Sequence, residues 1–262
     1  MSSYCISLKY ASAGDFVYLR ELTGRDELSV SETGTIGAIQ LLDRLLADGH
    51  ETALIPGQAD EIATADRDWL LAEIYKRAYG TKIESTISCT TCSSFIDLNF
   101  NLDDLLAFIQ SKTPEISVRE ADKGIFELHD GSRFRLPRGK DEFAILGLSP
   151  DKAEKTLLER CLVQASSNRD TEQQLLTVMG QFAPVIETEM AAQCPDCGEQ
   201  QTIYFNIQSF LLSALMRERK RIMMEIHRLA MAYHWHHNEI LNLTRSLRRM
   251  YLSFILAEMG VD

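Results

Sequence analysis

Apolar residues return every three or four positions over long parts of this chain, the spacing that places side chains on one face of an α-helix. In the C-terminal third, such a stripe runs from about residue 208 to a polar break at 235–238, and a last helix is predicted over 244–259. Shorter helices are predicted at 36–46, 65–78, 102–109, 142–146, 150–165 and 171–182. We therefore expect a long amphipathic C-terminal segment whose stripe packs on the chain's own core or on another protein.

Alternation of apolar and polar residues, which is typical of half-buried strands, occupies shorter segments between these helices. Two strands are predicted within 4–22, and strand pairs at 82–88 with 95–100 and at 187–193 with 202–205. Residues 125–136 are predicted to form a hairpin, because Asp130-Gly131 between alternating segments is a strong signal for a tight turn. Strand pairs and helices segregated in this way indicate the α+β fold class.

A Cys-x-x-Cys pair separates the two strands in each of two predicted strand pairs. The four residues are Cys89, Cys92, Cys194 and Cys197. A shift of 105 residues aligns the two pairs and also places Phe100 on Phe205. Each second strand leads into a helix, with Asn101 in the first copy and Asn206 in the second as the expected N-cap. The sequence thus predicts two related strand–knuckle–strand–helix units.

Four thiolates supplied by two tight turns are the usual ligand set of one structural zinc ion, which takes four ligands tetrahedrally. We therefore predict one Zn²⁺ shared by both knuckles. A shell closed by four sulfurs leaves no position for water or substrate, so the ion is expected to brace the fold. Disulfides are disfavoured in an intracellular chain. Redox-active pairs normally open a helix after a strand, whereas each pair here lies between two predicted strands. Knuckles without metal stay an alternative. Cys5 and Cys161 are interpreted as small core residues.

Composition limits the class of protein. The 262 residues are 45% hydrophobic and carry a formal net charge of −11, which suits one large or two intertwined domains. Four segments are expected: N-terminal strands and helix at 1–62, the first knuckle unit at 63–112, a hairpin and helices at 113–186, and the second knuckle unit with the C-terminal helices at 187–262. No stretch has the ~18–20 apolar residues of a membrane span, and nothing resembles a secretory signal. We therefore expect a soluble, cytoplasmic protein.

Basic residues concentrate in the C-terminal third, against the acidic balance of the whole chain. They are Arg217, Arg219, Lys220, Arg221, Arg245, Arg248 and Arg249. Such a group is either a solvated helix face or the contact surface for an acidic protein or a nucleic acid. A protein contact is favoured over nucleic acid, because no aromatic residues are interleaved with the arginines as stacking platforms and an acidic chain is poorly suited to wrapping phosphates.

Histidines near the C-terminus lack the spacing of a second metal site. They are His227, His234, His236 and His237. His227 and His234 stand seven residues apart with no carboxylate at a matching position, unlike the His-Glu-x-x-His motif. They are interpreted as residues around a helix-to-helix turn at which Trp235 packs. Because no Gly-rich phosphate loop and no Gly-x-Ser-x-Gly motif occurs either, we expect no enzymatic activity.

Four segments spread over nearly the whole chain have a distinctive sequence. They are 18–27 (YLRELTGRDE), 69–75 (WLLAEIY) continuing into 87–92 (ISCTTC), 194–198 (CPDCG), and the residues EIHRLA, YHW, EIL and RRMYL between 225 and 252. In these segments the chain resembles the baseplate hub assembly proteins of contractile-tailed, T-even type phages and their relatives in phage-derived contractile injection clusters.

The resemblance implies a non-enzymatic assembly factor, a chaperone or adaptor that binds hub or other tail proteins while the tail baseplate hub is built. The long amphipathic C-terminal helices suit such a contact. Two other classes stay open. One is a permanent structural subunit of the baseplate, and the other is a zinc-ribbon protein that binds nucleic acid.

Overall fold

The structure, a computed structural model, describes residues 3–10, 15–47, 54–111, 117–165, 169–258 and 260. The described residues fall into two compact units that alternate along the chain. The first unit lies within residues 1–7, 14–59 and 208–262, and the second unit lies within 8–13 and 60–207.

Helices and strands follow one another through both units, which confirms the predicted α+β class. In chain order they are β1 (Ser3–Ser7), β2 (Phe16–Arg20), α1 (Gly24–Ser29), α2 (Thr35–Leu45), α3 (Thr64–Tyr79), β3 (Lys82–Ser88), β4 (Phe95–Asn101), α4 (Leu102–Ser111), β5 (Val118–Asp122), β6 (Ile125–Leu128), β7 (Arg133–Phe134), α5 (Gly139–Ile145), α6 (Pro150–Cys161), β8 (Leu162–Gln164), α7 (Arg169–Phe182), β9 (Glu187–Gln193), β10 (Gln200–Asn206), α8 (Ile207–Arg217), α9 (Arg219–Tyr233), α10 (His237–Leu241) and α11 (Arg245–Glu258).

In the first unit, the antiparallel pair β1–β2 accompanies helices from both ends of the chain. The apolar stripe of α9 is buried there, with Ile222, Ile226 and Leu229 in one cluster with Ile240 of α10 and Ile255 of α11. Of the two alternatives for this stripe, the structure shows packing on the chain's own core. Burying several aliphatic side chains together stabilises the unit by roughly 1.5–3 kcal/mol for each fully buried side chain.

The second unit contains a four-stranded antiparallel sheet, ordered β5-β6-β7-β8, and two separate hairpins, β3–β4 and β9–β10. The predicted hairpin at 125–136 is confirmed as β6–β7. Its turn uses Gly131 at φ +84°, a left-handed conformation that glycine adopts without strain, and the Gly131 N–H donates to the Leu128 carbonyl. Phe126 and Phe134 of this sheet pack in a core with Leu175 of α7.

Two segments differ from the predicted elements. The helix predicted over 150–165 ends at Cys161, because Leu162–Gln164 turn into β8 and pair with the free edge of β7, satisfying its backbone groups. No element is predicted between the strands within 4–22 and the helix at 36–46, yet α1 begins at Gly24. The Asp26 carboxylate accepts the Thr23 N–H at 2.9 Å and so caps this helix, which at six residues is too short to show a helical period.

The order of elements occurs twice along the chain. A shift of 115 residues carries the starts of β1, α1 and α2 onto those of β5, α5 and α6. A shift of 105 residues carries the starts of α3, β3, β4 and α4 onto those of α7, β9, β10 and α8. The two shifts differ because the connection from α2 to α3 is longer than the one from α6 to α7. The repeat seen in the knuckles therefore extends over most of the described chain, which indicates an internal duplication.

Equivalent hydrogen bonds support this duplication at the starts of α1 and α5. Arg20 donates two hydrogen bonds to Asp26, at 2.5 and 2.8 Å, and Arg135 donates two to Asp141 at the same distances. In both copies the backbone N–H three residues before the aspartate donates to the same carboxylate, at 2.9 and 3.0 Å. In each copy, one arginine paired with one aspartate through two hydrogen bonds thus stabilises the start of the short helix, and we term this pair the arginine–aspartate fork.

Candidate metal centre

Each cysteine pair lies in a turn that joins two strands of a hairpin, and the two turns share one backbone geometry. The N–H of Cys89 donates to the carbonyl five residues later at 2.8 Å, and that of Cys194 does the same at 2.9 Å. The residue after each second cysteine is left-handed, with φ +63° at Ser93 and +74° at Gly198. Because of this bend, both sulfurs of a pair point to the same side. The glycine in the second copy was the available signal for this bend, and sequence reasoning missed it.

The four sulfurs converge on one point in the second unit. Cys89 Sγ lies 3.7 Å from Cys197 Sγ, Cys92 Sγ lies 3.5 Å from Cys194 Sγ, and all four sulfurs lie within 4.8 Å of one another. A tetrahedral zinc–thiolate site with Zn–S of ~2.3 Å places its sulfurs ~3.8 Å apart. These separations fit a single ion and are far longer than a disulfide bond of ~2.0 Å. The structure therefore brings together all four predicted ligands, which we term the four-cysteine cluster.

The cluster has a buried side and an open side. Cys89 and Cys194, the first residue of each pair, are buried, whereas Cys92 and Cys197 are exposed. Ile96 is buried in the same group. An ion in this position would be held against the apolar base by two ligands and reached from solvent on the side of the other two.

Electrostatics in the cluster favour a cation. Hydrogen bonds from Ser94 lower the pKa of the Cys92 thiol to about 6. At Cys197 the backbone N–H of Glu199 favours the thiolate, but the neighbouring thiols and desolvation outweigh it and raise the pKa to about 12. One thiolate therefore forms easily while further negative charge is opposed. A divalent ion removes that opposition and releases the remaining protons as it binds.

The two hairpins are related by local two-fold symmetry around the cluster. The contact between Cys89 and Cys197 is equivalent, under the shift of 105 residues, to the contact between Cys194 and Cys92. The rings of Phe100 and Phe205, which are equivalent positions, meet edge to face at 5.1 Å. Sequence reasoning missed a contact that joins the hairpins, in which the Thr90 N–H and hydroxyl donate to the Gln201 side-chain oxygen at 3.1 and 3.4 Å. No periodicity in the sequence marks such a contact.

The C-terminal histidines do not gather into a metal site. His227, His234, His236 and His237 are exposed. Among the described residues, the group of His, Cys, Asp and Glu side chains close enough to share an ion is the four-cysteine cluster. As interpreted, His234 lies at the turn after α9, where Trp235 stacks on Tyr233 with ring centroids 4.9 Å apart. No helix in the described part of the chain combines the length and apolar character needed to cross a bilayer.

Comparison with known proteins finds one family. The family model described as T4 bacteriophage base plate protein matches residues 4–176, which is more than half of the chain. The match includes Cys89 and Cys92, while Cys194, Cys197 and helices α8 to α11 lie beyond it. No curated protein and no solved structure matches the chain. This match shows that the chain belongs to the T4 bacteriophage base plate protein family and has its role in the phage tail baseplate.

Proposed function

We propose that this chain is a non-enzymatic assembly factor for the baseplate hub of a contractile tail, which binds hub or other tail proteins in the cytoplasm of the cell that makes the particle. The observation that carries the proposal is membership of the base plate family. The site chemistry agrees with it, because four sulfur ligands complete a tetrahedral shell and leave no coordination position for a substrate.

The ion that best suits the four-cysteine cluster is Zn²⁺ in a structural role. Soft thiolates select zinc, Cu(I) or iron–sulfur clusters over hard cations, and tetrahedral coordination by four sulfurs matches the spacing of the cluster. The ion would hold the β3–β4 and β9–β10 hairpins together. These hairpins are not included in the apolar core that α7 forms with the β5–β8 sheet.

The test removes the gene that encodes this chain and supplies the chain from a second copy. We expect complete baseplates to be lost without the chain and restored with it, because an assembly factor acts while the hub is built. Mass spectrometry of purified, finished particles should then find the hub proteins without this chain. Normal particle yield in the absence of the chain would contradict the proposal.

A permanent structural subunit is the second candidate, and the description of the matching family as a base plate protein favours it. In that case the finished particles contain this chain in a fixed ratio to the other baseplate proteins. A nucleic-acid-binding protein is the third class. Gel-shift assays would then show an affinity that falls steeply with salt, as counterion release from phosphates requires.

A further inference from the structure

Helices α9 and α11 border a groove of about 550 Å³ in the first unit. It combines basic side chains with two apolar ones. Its lining consists of Arg217, Lys220, Arg221, Met224, Glu225, Arg228 and Leu252. Residues 221, 224 and 228 follow one another at spacings of three and four, so they share one side of α9. From Lys220 to Arg228 this side extends ~12 Å, or about two helical turns. Arg217 is the last residue of α8.

Three of the cations in this groove lack an acidic partner within the described part of the chain. Arg221 is paired, with Glu218 and at 3.5 Å with Glu225. Arg217, Lys220 and Arg228 are exposed, and no described carboxylate lies within ion-pair distance of them. They form a local excess of positive charge on a chain whose net charge is −11.

The apolar part of the groove is separate from the face of α9 that the chain's own core uses. The face with Ile222, Ile226 and Leu229 is buried, whereas Met224 in the groove is 48% exposed. Met231, further along the same helix, is 68% exposed. Methionine side chains are flexible and polarisable, and they adapt to apolar partners of different shape. Met224 therefore offers exposed apolar surface in the groove, on a side of α9 that the core does not use.

We propose that this groove binds an acidic amphipathic helix of another tail protein. An apolar side chain of that helix inserts between Met224 and Leu252, and its carboxylates pair with Arg217, Lys220 and Arg228. Charge complementarity identifies the occupant, because three cations without an acidic partner lie in the same groove as the apolar side chains of Met224 and Leu252. Nucleic acid fits less well, since no aromatic side chain lines the groove to stack on bases. This inference rests on the proposed function, in which the chain acts by binding tail proteins.

The experiment measures binding of a fluorescent synthetic peptide to the full chain by anisotropy. The peptide has roughly 18 residues, long enough to form a helix on a surface, with leucines on one helical face and glutamates elsewhere. A peptide of the same composition in scrambled order and a single-stranded DNA of similar length serve as comparisons. The test variant is Arg217→Glu with Arg228→Glu. The matched control is Lys152→Glu with Lys155→Glu, which changes the charge equally on exposed residues of α6 in the other unit.

We expect the parent and the control variant to bind the amphipathic peptide within about 2-fold of each other, and the groove variant to bind at least ~10-fold more weakly. The scrambled peptide should bind the parent at least ~10-fold more weakly than the ordered one. Met224→Ser, which keeps every charge, should weaken binding of the ordered peptide and leave binding of the scrambled peptide unchanged. Circular dichroism confirms that the variants remain folded.

Several outcomes would overturn the inference. They are equal binding of the ordered and scrambled peptides, tighter binding of the DNA, equal loss in the groove and control variants, and self-association of the parent that the groove variant abolishes. Baseplate assembly distinguishes this failure from that of the proposed function. If the groove variant supports assembly while deletion of the chain does not, the groove is not the contact and the assembly role stands. If deletion has no effect, the assembly role itself fails.

Discussion

Asp141 is a fully buried carboxylate whose ionised form is held by four hydrogen bonds from three residues. Arg135 donates two hydrogen bonds to it, Arg160 Nε donates one at 2.8 Å, and the Arg138 N–H donates one at 3.0 Å. Burial alone raises the pKa of this carboxyl group, but the hydrogen bonds from the two guanidinium groups outweigh burial and lower the pKa to about 2. The charge is therefore more favourable in the folded chain than in the unfolded one.

Acid should remove this contribution in a defined pH window. Because the folded-state pKa lies below the ordinary value of 3.8, the stabilisation is fully present above about pH 4 and is lost as the pH falls towards 2. Allowing for solvent at the partly exposed Arg160, we expect the contribution to be about 1–2 kcal/mol. Asp141→Asn should lower the free energy of unfolding by that amount at pH 7 and flatten its dependence between pH 4 and 2, measured by urea denaturation. Glu154→Gln, at an exposed residue of α6 beyond its first turn, should leave both unchanged.

The cysteines and the arginine–aspartate forks differ in how far the sequence predicts them. Cys-x-x-Cys spacing carries its own geometry, so the four ligands could be named from the sequence. The fork at Asp141 was not predicted, because an arginine six residues before an aspartate has no periodic signal. The signal that existed was the alignment of Arg20, Gly24 and Asp26 with Arg135, Gly139 and Asp141 at a shift of 115 residues. That alignment is short and is interpretable only once the elements around it are known.

The proposed zinc ion would hold the two knuckle hairpins together, and replacing one ligand tests this. Cys92→Ser or Cys197→Ser should abolish stoichiometric zinc and lower the stability of the second unit. In peptides that fold only around zinc, binding supplies about 10–16 kcal/mol. The second unit has an apolar core besides, so we expect a smaller loss that still exceeds ~2 kcal/mol. Plasma emission spectrometry of the parent, purified without added metal, should give one zinc per chain.

Cys5→Ser is the matched control for the zinc prediction. The sequence predicts Cys5 as a core residue, but in the structure it is exposed and lies outside the cluster. This variant should keep the metal and the melting temperature of the parent. A Cys92→Ser protein that retains one zinc per chain and has the melting temperature of the parent would show that the four-cysteine cluster does not hold the proposed ion.

The boundaries of helices and strands could be predicted where several local signals agreed. They could not be predicted where pairing with a strand distant in sequence determines the boundary. Helix α3 and the strands around both knuckles lie within two residues of their predictions, and the largest difference is that β10 begins at Gln200 rather than at residue 202. Asn101 caps α4 as predicted, by accepting the Asp103 N–H at 2.8 Å. By contrast, the apolar period continues past Cys161 in the sequence, and only the free edge of β7 turns Leu162–Gln164 into a strand. A strand edge formed by residues far away in the sequence leaves no local mark.

Charges buried in the first unit join its N-terminal and C-terminal parts. Glu27 of α1 is fully buried and accepts hydrogen bonds from Arg245 and Arg248 of α11. Arg248 Nε also donates to Glu225 of α9 at 2.7 Å. The basic residues that were predicted as one surface group therefore divide into two kinds. Arg245 and Arg248 are buried structural ions, while Arg217 and Lys220 remain on the surface.

Glu27 and Cys92 allow the independence of the two units to be tested, because each acts in one unit. Glu27→Gln leaves two buried guanidinium groups without their shared carboxylate, and breaking a buried ion pair in this way costs about 3–5 kcal/mol. If the units unfold separately, Glu27→Gln should accelerate hydrogen exchange, followed by mass spectrometry, in the first unit alone and leave the zinc content unchanged. Cys92→Ser should accelerate exchange in the second unit alone and lower the zinc content. Glu258→Gln, at an exposed residue of α11, should alter neither. Faster exchange throughout the chain in both variants would instead mean that the units, although their residues alternate in sequence, unfold as one cooperative structure.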